Sequence, residues 1–358
     1  MPDTLPARYD ALDSLRGICA LMVVLYHLHP EGVIAASSLA RHGWLFVDFF
    51  FVLSGFVISS SYADRLAAGF GITRFMGLRL GRVYPLHLLS IAILAMIEML
   101  SKLYASGQAD GRFEFTGPFS LTDLWQNIFL LQSFGLRDHL GWNIVSWSIA
   151  AEVWAYLFFA LAMAWIKKGQ AAFFTATALL ALCWLWWRSD NFLEVTHDLG
   201  FVRCLYGFAL GVLVKQLWQR WPRKASTLVE ALIVATVFGF ASWASTGNLT
   251  YLAPPLFALV VFAFASENGR LSQCLLTAPF RLAGKLSYAI YMFHLIALAR
   301  YFDLVEELQE KLGTPLPHDL LTIGALLFVM LVAWPAWHFV EVPFREWSRR
   351  KILPFPAK

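Results

Sequence analysis

The sequence contains little charge. Only 15% of its 358 residues are Asp, Glu, Lys or Arg, whereas 59% are hydrophobic, and the mean hydropathy is +0.60. A soluble chain carries about 25% charged residues because its surface must face water. The shortage excludes a soluble globular protein and predicts an all-α, polytopic integral membrane protein whose surface is solvated largely by lipid.

Several chemical signatures are also missing. The four cysteines are scattered without a C-x-x-C pair, so the sequence predicts no metal and no redox site. It has no G-x-S-x-G, H-E-x-x-H or P-loop motif, which excludes the common soluble hydrolases and nucleotide-binding enzymes. The net charge is only +4, and Lys and Arg stand in short clusters between apolar runs, so no nucleic-acid partner is expected.

Long apolar runs predict about ten membrane-spanning helices, since a span needs ~20 mostly apolar residues. Region 116–136, within the predicted outer loop 105–146, is more polar and predicts a re-entrant or interfacial helix. We expect one membrane domain over residues 1–358. The predicted spans are 12–29, 44–62, 84–104, 147–166, 170–187, 200–217, 227–244, 249–266, 284–302 and 319–340.

The orientation follows from the basic residues, which favour cytoplasmic segments. If the N-terminus is cytoplasmic, the inner segments carry 20 of the 28 Lys and Arg residues. The sequence therefore predicts that both termini are cytoplasmic.

Ionisable residues inside spans are costly and indicate functional sites. Arg16 and His27 are eleven residues apart, which places them on one helix face, ~16 Å apart along the axis. This spacing predicts an anion site near the inner end of the first span and a general base, His27, near the outer end. The alternative for His27 is an interfacial histidine that serves packing.

Two further spans begin at the outer side with a carboxylate. Asp48 and Glu152 are predicted to lie at the depth of His27, where either could orient the imidazole. Ser148, Glu152 and Tyr156 follow at i, i+4 and i+8 and form a polar stripe. The alternative for Glu152 is an ion pair with a buried cation such as Arg203.

Basic residues at the inner side predict a second part of the anion site. Arg79 and Arg82 are i, i+3 neighbours and could clamp a phosphorylated ligand, joined by Lys285. The alternative is that they set the topology and bind anionic lipid. Ser287, Tyr291 and His294 of the ninth span lie along one face, where they line a polar channel or join helices by hydrogen bonds.

These motifs, in this order, resemble those of acyltransferase family 3, the membrane O-acyltransferases. The resemblance covers essentially the whole chain. Its motifs are Arg-x10-His (Arg16 to His27), Val47-Asp48-Phe-Phe-Phe-Val-Leu-Ser54-Gly55-Phe, Arg-x-x-Arg (Arg79, Arg82), Ser-x-x-x-Glu-x-x-x-Tyr (Ser148 to Tyr156), Ser-Tyr-x-x-Tyr-x-x-His (Ser287 to His294) and a C-terminal Val-Glu341-Val-Pro343-Phe-Arg345.

The resemblance implies a stand-alone acyltransferase in the bacterial plasma (inner) membrane, with an acyl-CoA donor on the cytoplasmic side. It makes His27 the catalytic histidine and Arg16, Arg79 and Arg82 the donor-binding arginines. We expect acetyl-CoA as donor, the hydroxyl of an exported or lipid-linked glycan as acceptor, and Ser148 or Tyr156 as a donor to the oxyanion. Membrane lipids are expected partners, and self-association stays open.

Two features depart from the family pattern. His87 stands where a Tyr is common, and Val153-Trp154-Ala155 stands where many members carry acidic and aromatic residues. A proton-coupled transporter or exporter remains the alternative function, because His27, Asp48 and Glu152 also resemble a proton relay. A structural scaffold would leave these buried groups unexplained.

Overall fold

The computed structural model describes residues 9–106, 117–222, 224–244 and 246–353. Over these residues the chain forms helices, turns and loops, without a strand. The α-helices are α1 (Asp10–Tyr26), α2 (Gly32–Ala35), α3 (Ser38–Arg41), α4 (Phe46–Ala67), α5 (Ile72–Ser106), α6 (Leu121–Ile128), α7 (Trp147–Trp165), α8 (Gln170–Arg188), α9 (Gly200–Arg220), α10 (Thr227–Gly239), α11 (Ala253–Phe264), α12 (Arg270–Leu275), α13 (Ala278–Leu312), α14 (His318–Ala336) and α15 (Val342–Ile352).

Short 3₁₀ and π-helical segments extend or join these helices. The 3₁₀ segments are Gly43–Leu45, Gly117–Phe119, Ile144–Ser146 and Gly247–Leu252, and the π-helical ones are Phe240–Ala244 and Trp337–Glu341. The second π-helix joins α14 to α15, so the last predicted span, 319–340, is part of a continuous helical segment, His318–Ile352.

Eight helical segments of the described chain are long and apolar enough to cross a membrane, which confirms an all-α integral membrane protein. The predicted number of about ten also includes α1, with 17 residues, and α10, the core of a shorter apolar helix, Thr227–Trp243. The exact number and the cytoplasmic termini stay predictions. The eight segments are Gly43–Ala67, Ile72–Leu103, Ile144–Trp165, Gln170–Arg188, Gly200–Arg220, Gly247–Phe264, Ala278–Leu312 and His318–Ile352.

Helices α1 and α13 run parallel at the centre of the fold. Gly17 lies so close to Ala283 and Gly284 that a β-carbon on Gly17 would collide with the α13 backbone. Further along both helices, His27 meets His294. We call the end of the bundle at which α1 begins the proximal face, and the opposite end the distal face.

Helices α4 and α9 also pack backbone to backbone. A β-carbon on Gly55 would meet the Phe208 carbonyl, and one on Gly211 would meet the Val52 carbonyl. Small residues permit this close approach between membrane helices, where van der Waals packing drives association. The packing fixes α4 beside α9 and carries Asp48 to Arg203.

The polar region after α5 forms a short helix rather than a span. Helix α6 has eight residues, about 12 Å at 1.5 Å per residue, which is too short to cross the hydrocarbon. Tyr84 Oη donates to the Ile128 carbonyl at 2.7 Å, and His87 Nε2 bonds the Asn127 carbonyl at 2.9 Å, so the end of α6 is tied to α5. Residues 107–116 of the predicted outer loop 105–146 lie outside the described residues.

Candidate active site

A cavity of about 90 Å³ lies inside the bundle, between α1, α4, α5, α7 and α13. It brings together most of the residues that the sequence predicts to be functional, and we call it the arginine cavity. Its polar lining comprises Arg16, Ser54, Arg79, Arg82, Ser148, Glu152, Tyr156, Ser287, Tyr288 and Tyr291.

Arg16 is held in place by α13. Its Nε donates to Ser287 Oγ at 2.7 Å, and its Nη2 donates to the Gly284 carbonyl at 3.4 Å. Asp13, one turn earlier on α1, lies 3.6 Å from Nη1. The guanidinium therefore has a fixed position and charge at the wall of the cavity.

The guanidinium of Arg79 has a hydrogen-bond donor that no described residue uses. Its Nη2 donates to Tyr62 Oη at 3.2 Å, and its guanidinium lies 5.0 Å from the centroid of the same ring. Its Nε is buried and has no hydrogen-bond partner among the described residues. Arg82 lines the cavity beside it. A buried donor without a partner is costly, so this wall favours an anionic or hydrogen-bond-accepting ligand.

The predicted polar stripe on α7 is present, and its members have different partners. Tyr156 Oη donates to Glu152 Oε1 at 2.5 Å and lies 3.0 Å from Ser54 Oγ. Ser148, nearer the distal face, donates to Tyr291 Oη at 2.8 Å. A hydrogen bond to a carboxylate is stronger than one to a hydroxyl, so the proton of Tyr156 is held more tightly than that of Ser148, and Ser148 is the more available donor to substrate.

His27 follows the last turn of α1 and pairs with His294. Its Nδ1 lies 2.9 Å from the Val23 carbonyl and 3.2 Å from His294 Nε2. His294 is fully buried, and its own Nδ1 lies 2.7 Å from the Tyr291 carbonyl. We call these two residues the histidine pair.

The hydrogen-bond network assigns the tautomers of the histidine pair. A carbonyl oxygen can only accept, so His294 Nδ1 carries the proton and its Nε2 has a lone pair. His27 Nδ1 carries the proton that Val23 and His294 share, which leaves the lone pair of His27 on Nε2. An imidazole in this state is a competent proton acceptor at Nε2.

In the structure Asp48 is paired with Arg203, and neither histidine is among its hydrogen-bond partners. Asp48 accepts from Arg203 Nη2 at 2.8 Å and from Arg203 Nε at 3.0 Å, and both side chains are buried. A buried guanidinium needs such a counterion, because an unpaired charge in a low-dielectric interior is strongly destabilising. The expectation that Asp48 orients His27 is therefore corrected: Asp48 neutralises Arg203, and His294 is the side chain that contacts His27.

Glu152 and Lys285 also differ from expectation. Glu152 lines the arginine cavity and bonds Tyr156, so neither His27 nor Arg203 is its hydrogen-bond partner. Lys285 is exposed and does not line the cavity. It precedes Ser287 by two residues, about 200° around the helix, so it projects from the side of α13 opposite the cavity.

The two departures from the family pattern have structural roles. His87 anchors α6, as described above, and Trp154 Nε1 donates to the Leu130 carbonyl at 2.8 Å. Both residues hold the segment between α5 and α7 in place.

Comparison with known proteins decides the family. Residues 9–340 match the family described as "Acyltransferase domain". The chain belongs to acyltransferase family 3. This membership identifies the protein as a membrane acyltransferase, so the transporter alternative is set aside.

Several curated relatives align over most of this acyltransferase. The acyltransferase MdmB of Streptomyces mycarofaciens is 24% identical over 90% of this chain and 87% of its own. The putative membrane-bound transacylase BcsY of Komagataeibacter xylinus is 25% identical over 95% and 83%. The peptidoglycan O-acetyltransferase OatA of Listeria monocytogenes is 23% identical over 94% of this chain and 56% of its own length. No solved structure is significantly similar.

Proposed function

We propose that this acyltransferase moves an acetyl group from cytoplasmic acetyl-CoA to a hydroxyl of an exported or lipid-linked glycan, in the bacterial plasma membrane. The observation that carries the proposal is that Arg16, Arg79 and Arg82, from two separate helices, line one cavity. Relatives whose names specify O-acetyltransferase or transacylase activity support the reaction class and the acetyl group.

The donor is proposed to bind from the proximal face, which is then cytoplasmic. Guanidinium groups bind phosphate through charge-assisted hydrogen bonds, and Arg79 Nε has no partner among the described residues. A cavity of about 90 Å³ is smaller than the ligand pockets of about 300–1,000 Å³ that enclose drug-sized molecules. The cavity would therefore hold only part of the donor, with the phosphates beside the arginines and the nucleotide nearer the proximal face.

His27 is proposed to be the general base. Its Nε2 lone pair accepts the proton of the acceptor hydroxyl, and His294 holds the tautomer through His27 Nδ1. Arg16 and His27 are ~16 Å apart along α1. An extended pantetheine arm covers a distance of this order, so phosphates near the arginines and a thioester near His27 are compatible.

The chemistry then follows with balanced atoms. The hydroxyl oxygen attacks the thioester carbonyl carbon as its proton passes to His27 Nε2. Ser148 donates to Tyr291, which lies about one helical turn before His294 on α13. Ser148 is therefore better placed than Tyr156 to donate to the oxyanion. The carbon–sulfur bond breaks, and the CoA thiolate takes the proton back from the imidazolium.

The test is acetyl transfer by purified protein in lipid vesicles, with radiolabelled acetyl-CoA and a glycan-containing membrane extract. Wild-type protein should transfer label to the glycan fraction. His27→Ala should lower the rate by about 10²–10⁴-fold, the usual contribution of a general base, with acetyl-CoA binding unchanged. Wild-type turnover by His27→Ala would refute the role of the base, and an inactive wild-type protein that binds no acetyl-CoA would refute the donor.

A further inference from the structure

A second cavity, of about 370 Å³, opens at the distal face between the end of α1, the second half of α13 and the start of α14. We call it the distal cavity. Its lining includes Leu28, His29, Glu31, Phe302, Glu306 and Thr322. None of these residues lines the arginine cavity.

The histidine pair lies between the two cavities along both central helices. Arg16 of α1 lines the arginine cavity, and Leu28, which follows His27 just beyond the end of α1, lines the distal cavity. On α13, Tyr291 lines the arginine cavity before His294, and Phe302 lines the distal cavity after it. Neither member of the histidine pair lines either cavity, but Leu28, the residue next to His27, lines the distal one, so the base stands between an acceptor on the distal side and a thioester on the proximal side.

The wall of the distal cavity is held by specific contacts. The Ile34 amide donates to Asp319 Oδ1 at 2.9 Å, and His318 Nδ1 lies 2.9 Å from Glu31 Oε2. These contacts fasten the segment after α1 to the start of α14. The cavity is thus a defined feature of the packing between α1, α13 and α14.

The lining combines oxygen acceptors with ring faces. Glu306 has no ion-pair partner among the described residues, whereas the next residue, Glu307, pairs with Lys311 at 2.6 Å. The His29 and Phe302 rings pack edge to face, with centroids 5.4 Å apart. Carboxylates accept strong hydrogen bonds from hydroxyl groups and repel other anions.

We propose that the distal cavity is the acceptor subsite and that it takes an uncharged, hydroxyl-bearing sugar unit, in preference to a uronate or phosphorylated sugar. The proposal rests on the proposed function, because it needs His27 to act as the base. Its volume, about 370 Å³, lies within the range of about 300–1,000 Å³ typical of small-molecule sites. Glu306 hydrogen-bonds sugar hydroxyls, and Phe302 supports the apolar face of the ring.

The first test compares two matched pairs of variants in the vesicle assay with radiolabelled acetyl-CoA. Glu306→Gln removes the cavity carboxylate, and Glu307→Gln removes its neighbour outside the cavity. Thr322→Trp fills the cavity, and Leu320→Trp adds the same bulk at an exposed position on the same helix. We expect Glu306→Gln to lose about tenfold or more of the transfer to glycan, as when a hydrogen bond to a charged group is lost. We expect Thr322→Trp to lose at least as much, because the indole occupies the space of the sugar. Acetyl-CoA binding should not change, and both controls should behave as wild type.

The second test measures the charge and access of the cavity without using the transferase reaction. In a variant whose four native cysteines are replaced, Thr322→Cys is treated in intact cells with cationic trimethylammonium-ethyl or anionic sulfonatoethyl methanethiosulfonate. The rate with the cationic reagent divided by the rate with the anionic reagent should be higher for this thiol than for a free thiol in solution. Glu306→Gln should lower this ratio.

The outcomes separate the two claims. Wild-type transfer by both Glu306→Gln and Thr322→Trp, or a Thr322→Cys thiol that prefers the anionic reagent, overturns the acceptor subsite and leaves the proposed function intact. Loss of acetyl-CoA binding in these variants would also overturn it, since the cavity would then serve the donor. A wild-type protein without transfer or donor binding defeats the proposed function itself.

Discussion

At the scale of single residues, the histidine pair is the feature on which the proposed mechanism depends. Val23 and Tyr291 offer backbone carbonyls to the two Nδ1 atoms, and His294 Nε2 accepts from His27 Nδ1. We therefore propose that His294, rather than a carboxylate, orients His27, and that it does so without adding a negative charge inside the membrane. We regard it as a positioning residue, since it acts through His27.

Replacing His294 should impair catalysis more than binding. His294→Leu removes the side-chain acceptor of His27 Nδ1–H and leaves only the Val23 carbonyl, so kcat should fall by about tenfold or more, and KM for acetyl-CoA should stay unchanged. His294→Gln retains an amide oxygen as acceptor and should restore part of kcat. The check is steady-state kinetics of both variants together with their melting temperatures. Equal kcat losses in the two variants, in proportion to lost stability, would indicate a role in packing only.

Arg79 should act on the donor through its geometry as well as its charge. Arg79→Ala removes charge-assisted contacts worth about 1.5–3 kcal/mol, so the affinity for CoA should fall by about 10–150-fold. Arg79→Lys should recover only part of this, because an ammonium cannot reproduce the planar fork or its stacking on Tyr62. Calorimetric titration with CoA measures both, and Arg74→Ala, on an exposed position of the same helix, is the control. An unchanged affinity for Arg79→Ala would assign this arginine to topology alone.

Residue roles were only partly predictable from the sequence. Helix periodicity aligns Ser148, Glu152 and Tyr156 on α7, and all three line the arginine cavity, since spacing on one helix is fixed by helix geometry. It also puts Arg16 and His27 on one face of α1, but only Arg16 lines the cavity. The partner of His27 was not predictable, because it depends on the parallel register of α1 against α13. The motif that ends in His294 was visible, but nothing in its spacing indicated contact with His27.

At the scale of helices, backbone contacts between small residues position the site. Gly17 and Gly284 bring α1 against α13, and Gly55 and Gly211 bring α4 against α9. The first contact sets the register in which His27 meets His294. The second places Ser54 and Asp48 of α4 beside their partners on α7 and α9.

Enlarging a glycine at these crossings should destabilise the fold. In Gly211→Ala the added methyl group collides with the Val52 backbone carbonyl, which cannot rotate away as a side chain could. Overpacking of this kind costs about 1–3 kcal/mol. Gly239→Ala, in α10, meets no atom within 4 Å and is the matched control. In detergent, Gly211→Ala should therefore unfold at a lower temperature than wild type, whereas Gly239→Ala should unfold at the wild-type temperature. A melting temperature of Gly211→Ala equal to that of wild type would contradict the close packing.

The segment between α6 and α7 should respond to pH through His139. Hydrogen bonds to Asp138 and then to Asp123 raise the pKa of His139. The ion pair with buried Asp123 is therefore fully formed below about pH 6.5 and is lost as the pH rises through the raised pKa. NMR titration of His139 should show a lower pKa in Asp138→Asn than in wild type, with Asp303→Asn as control. An unchanged pKa in Asp138→Asn would show that this contact is absent in solution.

Also at the scale of helices, the sequence predicts most of the spans but not the contacts that hold the connecting segments. Runs of apolar residues locate spans because the bilayer sets their length. The predicted polar segment before α7 was recognised from Asp123 and Asn127, but its anchoring by His87 and Trp154 required the positions of α5 and α7.

At the scale of the whole molecule, the proposed mechanism requires the donor site and the acceptor site to face opposite sides of the membrane. The arginines lie toward the proximal face, the histidine pair lies further along α1 and α13, and the distal cavity lies beyond it. The distribution of Lys and Arg predicts that the proximal face is cytoplasmic. Single cysteines at Ser226 and Glu310, both exposed, test this in a background without the four native cysteines. Glu310→Cys should react with an impermeant maleimide in intact cells, and Ser226→Cys should react only after permeabilisation.

The central claim is that the acyl donor and the acceptor use opposite faces of one membrane enzyme. It is tested most directly by supplying radiolabelled acetyl-CoA to the outside of sealed membrane vesicles of the two orientations and counting label in their glycan fraction. Inside-out vesicles, which present the cytoplasmic face to the donor, should label the glycan, and His27→Ala vesicles should not. Labelling in right-side-out vesicles with none in inside-out vesicles would place the donor site on the outer face and contradict the account.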